Sequence, residues 1–97
     1  DESVQMYIIG LNEDVRSKCQ VLAQDLRNQG FSVSTDLLRR SLKSNLREAN
    51  RSGAKIAIII GDEESANNTV QVKNMETGEQ ITLIINKLIQ YLTDLDF

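Results

Sequence analysis

The 97-residue sequence contains no histidine, no proline and no tryptophan, and it has a single cysteine. Histidine is the commonest general base in enzymes, so its absence argues against most acid–base catalysis by this chain. Cys19 lies on the apolar stripe of a predicted helix, and we interpret it as a buried structural residue rather than a nucleophile. Because one cysteine forms no internal disulfide, the chain fits a reducing compartment, and we expect a cytoplasmic location.

Glycine-rich loops and long apolar runs are also missing. The five glycines are isolated from one another, so the chain has no dinucleotide-binding or Walker loop. No apolar run approaches the ~20 residues that span a bilayer, and from these residues we expect no secretory signal. The chain starts at Asp1 without an initiator methionine, so we expect a single domain, residues 1–97, cut from a longer protein.

Hydrophobic periodicity predicts five strands and three main helices. The predicted strands cover residues 5–9, 31–35, 56–60, 69–73 and 80–83. The predicted helices cover residues 13–29, 41–52 and 85–92, with a further helical turn within residues 62–68. Asn12 and Ser41 are the expected N-caps, and Gly30 and Gly53 are expected to end the first two helices.

The order of these elements predicts an α/β fold. The first strand, helix and strand favour a parallel pair with a right-handed crossover. Residues 56–60 (IAIII) are apolar on both faces, as in the middle strand of a sheet covered by helices. Val70 and Val72 are expected to face inward on the next strand, which opens a hairpin added to the parallel core.

A basic segment stands out within an acidic chain. Residues 37–61 contain six basic residues and one acid, a net charge of +5, so the rest must carry −8 for the total of −3. On the predicted helix, Leu42, Leu46 and Ala49 form the expected apolar stripe. Lys43, Arg47 and Arg51 repeat at every fourth position beside it. Such a charge run can be merely a solvated face, but it also suits contacts with phosphates.

Planar polar side chains lie near the same predicted sheet edge. Asn67, Asn68 and Asn74, with Arg39 and Arg40, have the amide and guanidinium groups that read base edges. Aromatic residues make up 4% of the chain, so RNA recognition would depend on hydrogen bonds and charge more than on stacking.

Four carboxylates allow a competing interpretation. Asp36 follows the second predicted strand and Asp62, Glu63 and Glu64 follow the central one, so these acids could meet at the carboxyl edge of the sheet. A Mg²⁺ site or a phospho-acceptor pocket there is one hypothesis. The plainer interpretation is that acids favour exposed loops and the first turns of helices.

The ordered motifs of residues 30–80 resemble a known family. These motifs are the strand from Gly30, the RSLKSNL helix, the turn over residues 49–55, the segment IIIGDEE and the hairpin VKNMETGEQ. Together they resemble the C-terminal anticodon-binding domain of class II aminoacyl-tRNA synthetases, most closely that of the histidyl-tRNA synthetases. The resemblance implies a three-layer α/β/α fold with a five-stranded mixed sheet and helices on both faces.

The resemblance also implies partners and site residues. The partner would be the anticodon loop of a histidine-specific tRNA, with no membrane contact. ATP and Mg²⁺ would act in a separate catalytic domain of a homodimeric parent, whereas this domain would be a monomer carrying no cofactor, metal or catalytic residue. The residues implied for the RNA backbone are Arg39, Arg40, Lys43, Arg47 and Lys55. Those implied for reading anticodon bases are Asn67, Asn68, Lys73, Asn74 and Met75.

Two other functions remain open at this point. One is a regulatory or protein-interaction domain of the same fold that senses uncharged tRNA or has lost tRNA binding, since fold alone does not fix function. The other is the cation-binding domain described above, for which Mg²⁺ would stabilise the fold in the absence of RNA.

Overall fold

The computed structural model describes residues 4–35 and 41–95. It contains five strands: β1 (Met6–Gly10), β2 (Val33–Thr35), β3 (Ile56–Ile60), β4 (Thr69–Asn74) and β5 (Gln80–Ile84). The α-helices are α1 (Arg16–Asn28), α2 (Leu42–Arg51), α3 (Asp62–Asn67) and α4 (Leu88–Asp94). Short 3-10 turns, Glu13–Val15 and Ile85–Lys87, precede α1 and α4. No helix within these ranges is long and apolar enough to cross a membrane.

The strands form one mixed sheet in the order β2-β1-β3-β4-β5. β1 pairs in parallel with β2 and β3, and β4 pairs antiparallel with β3 and β5. This arrangement confirms the predicted parallel core, the central position of residues 56–60 and the added hairpin. We call the side where β1, β2 and β3 end the carboxyl edge of the sheet, and the opposite side the amino edge.

One side of the sheet, which we call the closed face, is covered by α1 and α4. It carries the apolar side chains Met6, Ile8, Ile56, Ile58, Val70 and Val72, all of which are buried. Leu22 and Leu26 of α1 and Leu88 and Leu92 of α4 complete this core. Val70 and Val72 therefore face inward, as their alternation with polar residues predicts.

The other side, which we call the open face, carries Tyr7, Ile9, Ala57, Ile59, Gln71, Lys73, Gln80 and Thr82. Among the described helices, α2 packs here, through Ala49 and Leu46, against the side chains of β1 and β3. The three-layer α/β/α architecture is thus confirmed, with helices on both faces of the sheet. The two helix layers cover different areas of the sheet. On the open face α2 packs on β1 and β3, and the described helices leave β4 and β5 uncovered there.

The apolar stripe predicted for α2 is partly wrong. Leu42 is 39% exposed, whereas Asn45 is 1% exposed and lies one turn before the buried Ala49. Side chains on a helix tilt toward its N-terminus, so that of Leu42, the first residue, projects past the end of α2 instead of onto the sheet. Asn45 takes the sheet-facing position in the next turn, a placement that hydrophobicity alone does not indicate.

The second strand is shorter than the predicted residues 31–35, because Gly30 and Phe31 form the closing turn of α1. The Phe31 N–H donates to the Leu26 carbonyl at 3.1 Å, and Gly30 has φ +96°. This closure confirms Gly30 as the residue that ends the helix, since a positive φ is accessible to glycine at little cost. β2 therefore begins at Val33, while Phe31 packs against the core.

Candidate nucleic-acid interface

Helix α2 presents exposed cations beside the open face. Ser41 caps the helix, its Oγ accepting a hydrogen bond from the Ser44 N–H at 3.2 Å, as its N-cap prediction requires. Lys43 and Arg47 lie one turn apart and both are exposed. Neither side chain forms an ion pair or hydrogen bond within residues 4–35 and 41–95. Their charges are available to an anionic partner.

The other predicted backbone contacts differ from these two. Arg51 forms an ion pair with Glu48, because its guanidinium donates to the two Glu48 carboxylate oxygens at 2.7 and 2.8 Å. Lys55 is exposed but lies at the amino edge, where its carbonyl accepts from the Met75 N–H at 2.9 Å. Arg39 and Arg40 lie outside the described residues. The structure therefore brings Lys43 and Arg47 together and places Lys55 beyond the far end of the same helix.

Two of the predicted base-reading residues lie at the carboxyl edge. Asn67 ends α3, and Asn68 follows it in the left-handed conformation with φ 56°. The Asn68 N–H donates to the Glu64 carbonyl, and its own carbonyl accepts from the Ile85 N–H at 2.9 Å. Both side chains are exposed. The backbone of Asn68 therefore connects the end of α3 to Ile85, which follows β5, and asparagine is a residue that tolerates this positive φ.

Asn74 and Met75 lie at the amino edge, in the hairpin between β4 and β5. The Asn74 Oδ1 accepts from the N–H groups of Glu76 and Thr77 at 2.9 and 3.0 Å, so this oxygen holds the turn. Met75 packs against the apolar cluster of the open face. The six residues of β4 put about 20 Å between this turn and Asn68. One base cannot touch both ends.

The middle of the open face carries a group that the sequence analysis missed. We call Gln71, Gln80 and Thr82 the amide array. The Gln71 Nε2 donates to the Thr82 Oγ1 at 2.7 Å, and the Gln80 Nε2 donates to the Gln71 Oε1 at 3.4 Å. Lys73 stands beside it, because its Cα partner across the strand pair is Gln80. Of the predicted base-reading residues, Lys73 is the one on this surface.

A signal for the array was present in the sequence. Once Val70 and Val72 are assigned inward, the residues between and beside them must share the opposite face. In β4 these are Thr69, Gln71 and Lys73, and the pairing partners of the last two in β5 are Thr82 and Gln80. A run of uncharged hydrogen-bonding side chains is easily taken for ordinary solvent-facing surface, which is why the pattern alone did not single it out.

Comparison with known proteins agrees with this geometry. The model of the anticodon binding domain matches residues 5–95, nearly the whole chain. The chain belongs to the anticodon-binding domain family. Its sequence is 35% identical over 91 residues to histidine–tRNA ligase of Staphylococcus aureus strain JH9, and equally to that of strain Newman. The match covers 94% of this chain but 22% of each of these relatives.

Solved structures have the same fold. The crystal structure of apo S. aureus histidyl-tRNA synthetase superimposes with a TM-score of 0.86 at 35% identity, covering 94% of this chain and 23% of that one. Histidyl-tRNA synthetase from Nostoc sp. PCC 7120 gives 0.90 at 23% identity, covering 94% and 22%. The RNA binding domain of threonyl-tRNA synthetase from Cryptosporidium parvum gives 0.87 at 21% identity, covering 94% and 23%. The last two likenesses concern the fold alone.

Charge on this anticodon-binding domain is arranged unevenly around the open face. Asp62 and Glu63 are exposed at the carboxyl edge, and Glu76 and Glu79 are exposed in the hairpin at the amino edge. Between the two edges the described cations of α2 and Lys73 of β4 lie on one side of the sheet. Exposed acids therefore lie at both edges and the cations of α2 and Lys73 lie between them, while Lys55 adds one exposed cation at the amino edge.

The competing cation hypothesis gains no support in the anticodon-binding domain. The Asp62 Oδ1 accepts from the Asn12 Nδ2 at 2.9 Å, and the Glu64 Oε1 accepts from the Gly61 N–H at 2.8 Å. These acids tie the start of α3 to β3 and to the loop after β1. Asp36 lies outside the described residues, and within the described ranges no three metal-binding side chains of the carboxylate, thiol or imidazole type converge.

Cys19 is buried on α1, which confirms its structural interpretation. Burial raises the pKa of its thiol from 9.0 to about 11, because the charged thiolate loses its solvation. The thiol is therefore protonated at neutral pH, and nucleophilic or redox chemistry needs the thiolate.

Proposed function

We propose that this chain is the anticodon-recognition domain of a histidine–tRNA ligase and binds the anticodon loop of a histidine-specific tRNA. The observation that carries the proposal is the 35% identity to histidine–tRNA ligase, sustained over 91 of the 97 residues. The open face gives the proposal a physical site, since it combines exposed cations with an uncharged hydrogen-bonding surface.

In the proposed complex, phosphates and bases contact different elements. Lys43 and Arg47 of α2 neutralise phosphates of the loop, and such contacts fix position without reading sequence. The unstacked bases of a single-stranded loop expose their Watson–Crick edges to the polar surface of β4 and β5. Because no tryptophan is present and Tyr7 is buried on this face, hydrogen bonds take the place of aromatic stacking.

The remaining functions of the ligase belong to the parent enzyme in this proposal. ATP and Mg²⁺ act in a catalytic domain outside these residues, and the parent is a cytoplasmic homodimer. The chain itself contributes recognition rather than chemistry and is a monomer in isolation. The absence of histidine and of glycine-rich phosphate loops from its sequence supports this division of labour.

Binding of a histidine tRNA anticodon stem-loop, measured at several salt concentrations, tests the proposal. The chain should prefer the authentic loop to a scrambled loop of the same length. Changing Lys43→Ala and Arg47→Ala together should weaken binding to both RNAs and reduce the slope of log K against log salt by about 0.7 to 0.9 per lost contact.

A matched double variant, Arg16→Ala with Lys87→Ala, removes the same charge from α1 and from the turn before α4. It should leave the preference for the authentic loop intact and change the slope less. Equal slopes for the two double variants would contradict the assignment of α2. Failure of the unaltered chain to bind either RNA would overturn the proposed function and favour a regulatory or protein-interaction domain.

A further inference from the structure

Glu48 is the one acid within the basic segment of residues 37–61, and it pairs with Arg51 on α2. The Arg51 Nε–H donates to the Glu48 Oε1 at 3.1 Å, and the Arg51 Nη2 donates to Oε1 and Oε2 at 2.7 and 2.8 Å. The guanidinium thus contacts both oxygens of the carboxylate. Arginine binds phosphates through the same forked pair of donors, so a phosphate that approaches Arg51 competes with Glu48.

The helix places Glu48 on the side of Arg51 that faces away from the other cations of α2. Each residue of an α-helix advances about 100° around the axis, so Arg47 lies about 40° beyond Lys43 and Arg51 about 40° beyond Arg47. Glu48 lies about 60° further in the same direction. The ion pair therefore directs the guanidinium of Arg51 away from Arg47, and breaking the pair allows Arg51 to extend the row formed by Lys43 and Arg47.

Arg51 has room to exchange one partner for another. Its side chain is 76% exposed, whereas that of Glu48 is 21% exposed. Rotation about the bonds of this long side chain carries the guanidinium from Glu48 toward Arg47. Ion pairs between solvent-exposed groups contribute little free energy, so a phosphate can displace the carboxylate. The pair should therefore lower the affinity of α2 for phosphate by a small factor without abolishing binding.

We propose that Glu48 holds Arg51 out of the row of cations formed by Lys43 and Arg47, and that Arg51 is a third phosphate contact of α2 held in reserve. Glu48 is then a positioning residue that acts through Arg51. The inference rests on the proposed function, because the competing phosphates are those of the bound RNA loop. It goes beyond that function by giving a role to Arg51 and by making the affinity of α2 depend on an ion pair within the helix.

Glu48→Gln tests the proposal, since it removes the negative charge while keeping the shape of the side chain. Binding of the anticodon stem-loop should become about two- to fivefold tighter at low salt, the factor expected from releasing an exposed ion pair. The slope of log K against log salt should steepen by about 0.7 to 0.9, the value for one added phosphate contact. Unchanged affinity and slope would overturn the proposal.

Removal of any acid near bound RNA also reduces repulsion, so the same change is made in the Arg51→Gln background. If Arg51 carries the effect, Glu48→Gln should increase affinity at least twofold more in the presence of Arg51 than in its absence. Equal gains in the two backgrounds would show that Glu48 only repels the RNA.

The chain contains a matched ion pair for use as a control. Arg16 and Glu13 are also three residues apart, with Nη1 and Oε1 separated by 3.6 Å, and they lie at the start of α1. Glu13→Gln changes the net charge equally and releases an arginine on another element. It should increase affinity less than Glu48→Gln and leave the salt slope unchanged. Equal effects of the two variants would contradict a specific role for α2.

The Nε–H resonance of Arg51 in the ¹⁵N-labelled chain reports the exchange of partners directly. When the stem-loop is added, this resonance should shift further in Glu48→Gln than in the unaltered chain. An equally large shift in the unaltered chain would overturn the restraint, since Arg51 would then contact the RNA despite Glu48.

The outcomes separate this proposal from the proposed function. Preference for the authentic loop, with no gain from Glu48→Gln, would overturn the role of the ion pair and leave anticodon recognition standing. If the unaltered chain binds neither the authentic nor the scrambled loop, the proposed function fails and this assignment fails with it.

Discussion

The two faces of the sheet are formed by the same strands, but on β4 one face is apolar and buried and the other is polar and half-buried. On the closed face, α1 and α4 cover β4 so completely that Val70 and Val72 are 0% and 2% exposed. On the open face, Gln71 and Lys73 of the same strand are half-buried, and Gln80 and Thr82 are exposed. One alternating hexapeptide, TVQVKN, thus supplies a core and a polar surface at the same time.

This difference shows where the stability of the fold is concentrated. Apolar burial contributes stability in proportion to the area removed from water, and the closed face contains most of the large buried side chains. The open face of β4 and β5 buries little apolar surface, so substitutions of its side chains should change stability less. Placing a polar residue on the closed face, or an apolar residue on the open face, is the most direct test of this difference in stability.

The largest effect is expected from reversing the alternation within β4. Val72→Gln places an amide among Ile58, Leu88 and the rest of the closed-face core, and should lower the free energy of unfolding by about 2 to 5 kcal/mol. Gln71→Val, on the neighbouring residue, should change it by less than about 1 kcal/mol. Urea denaturation measures both. Similar losses for the two variants would show that the faces do not differ in their energetic roles.

A smaller effect is expected at the helix of the open face. Ser41→Ala removes the side-chain cap of α2 and should cost about 1 kcal/mol. Because α2 packs through few side chains, its amide protons should exchange faster with solvent, while those of α1 change less. Ser17→Ala in the first turn of α1 is the matched control, since Ser17 caps no helix. Equal acceleration in α1 and α2 would indicate that the two layers open together.

At neutral pH no effect is expected from ionisation of Cys19, which packs in the closed-face core, but an effect appears at alkaline pH. A raised pKa in the folded state means that folding favours the protonated thiol. Its contribution to stability is complete below pH 9.0 and is lost progressively as the pH rises toward about 11. Cys19→Ala should therefore show a shallower loss of stability across this window than the unaltered chain. Identical pH profiles would show that the thiol ionises equally easily in both states.

Iodoacetamide provides a second measurement of the same burial. At pH 8 the folded chain should be alkylated slowly and the urea-unfolded chain rapidly, since the reactive species is the thiolate. Rapid alkylation of the folded chain would contradict the protection given by α1 and the strands beneath it.

Local sequence signals predicted the elements of this fold well. Ser41 caps α2 as expected, whereas Asn12 caps the 3-10 turn that leads into α1, its Oδ1 accepting from the Val15 N–H at 3.3 Å. The isoleucine run of β3 is buried on both faces, as its lack of alternation predicted. Asn45 was not predicted, because a polar residue in a sheet-facing position depends on what the folded chain places around it.

The candidate site was less predictable than the fold, for a physical reason. Lys43 and Arg47 follow from helical spacing, which is local, and the structure confirms their neighbouring, exposed positions. The amide array depends on the register of β4 with β5, which pairs Gln71 with Thr82. The residue types of the open face are visible in the sequence, but their grouping is decided by strand pairing. The roles assigned to Asn67, Asn68, Asn74 and Met75 remain predictions.

The strand order has a consequence for how the chain folds. Gln71 and Thr82 are 11 residues apart in sequence, whereas Asn12 and Asp62, which meet beside the central parallel pair, are 50 apart. Closing a chain segment costs about 0.6 kcal/mol more for each doubling of its length, so the hairpin of β4 and β5 has the cheaper closure. An isolated hairpin is barely stable in water, and it persists only when β3 docks beside it. The open face of β4 and β5 is therefore assembled by neighbours in sequence, and it depends on β3, which pairs in parallel with β1 residues half a chain away.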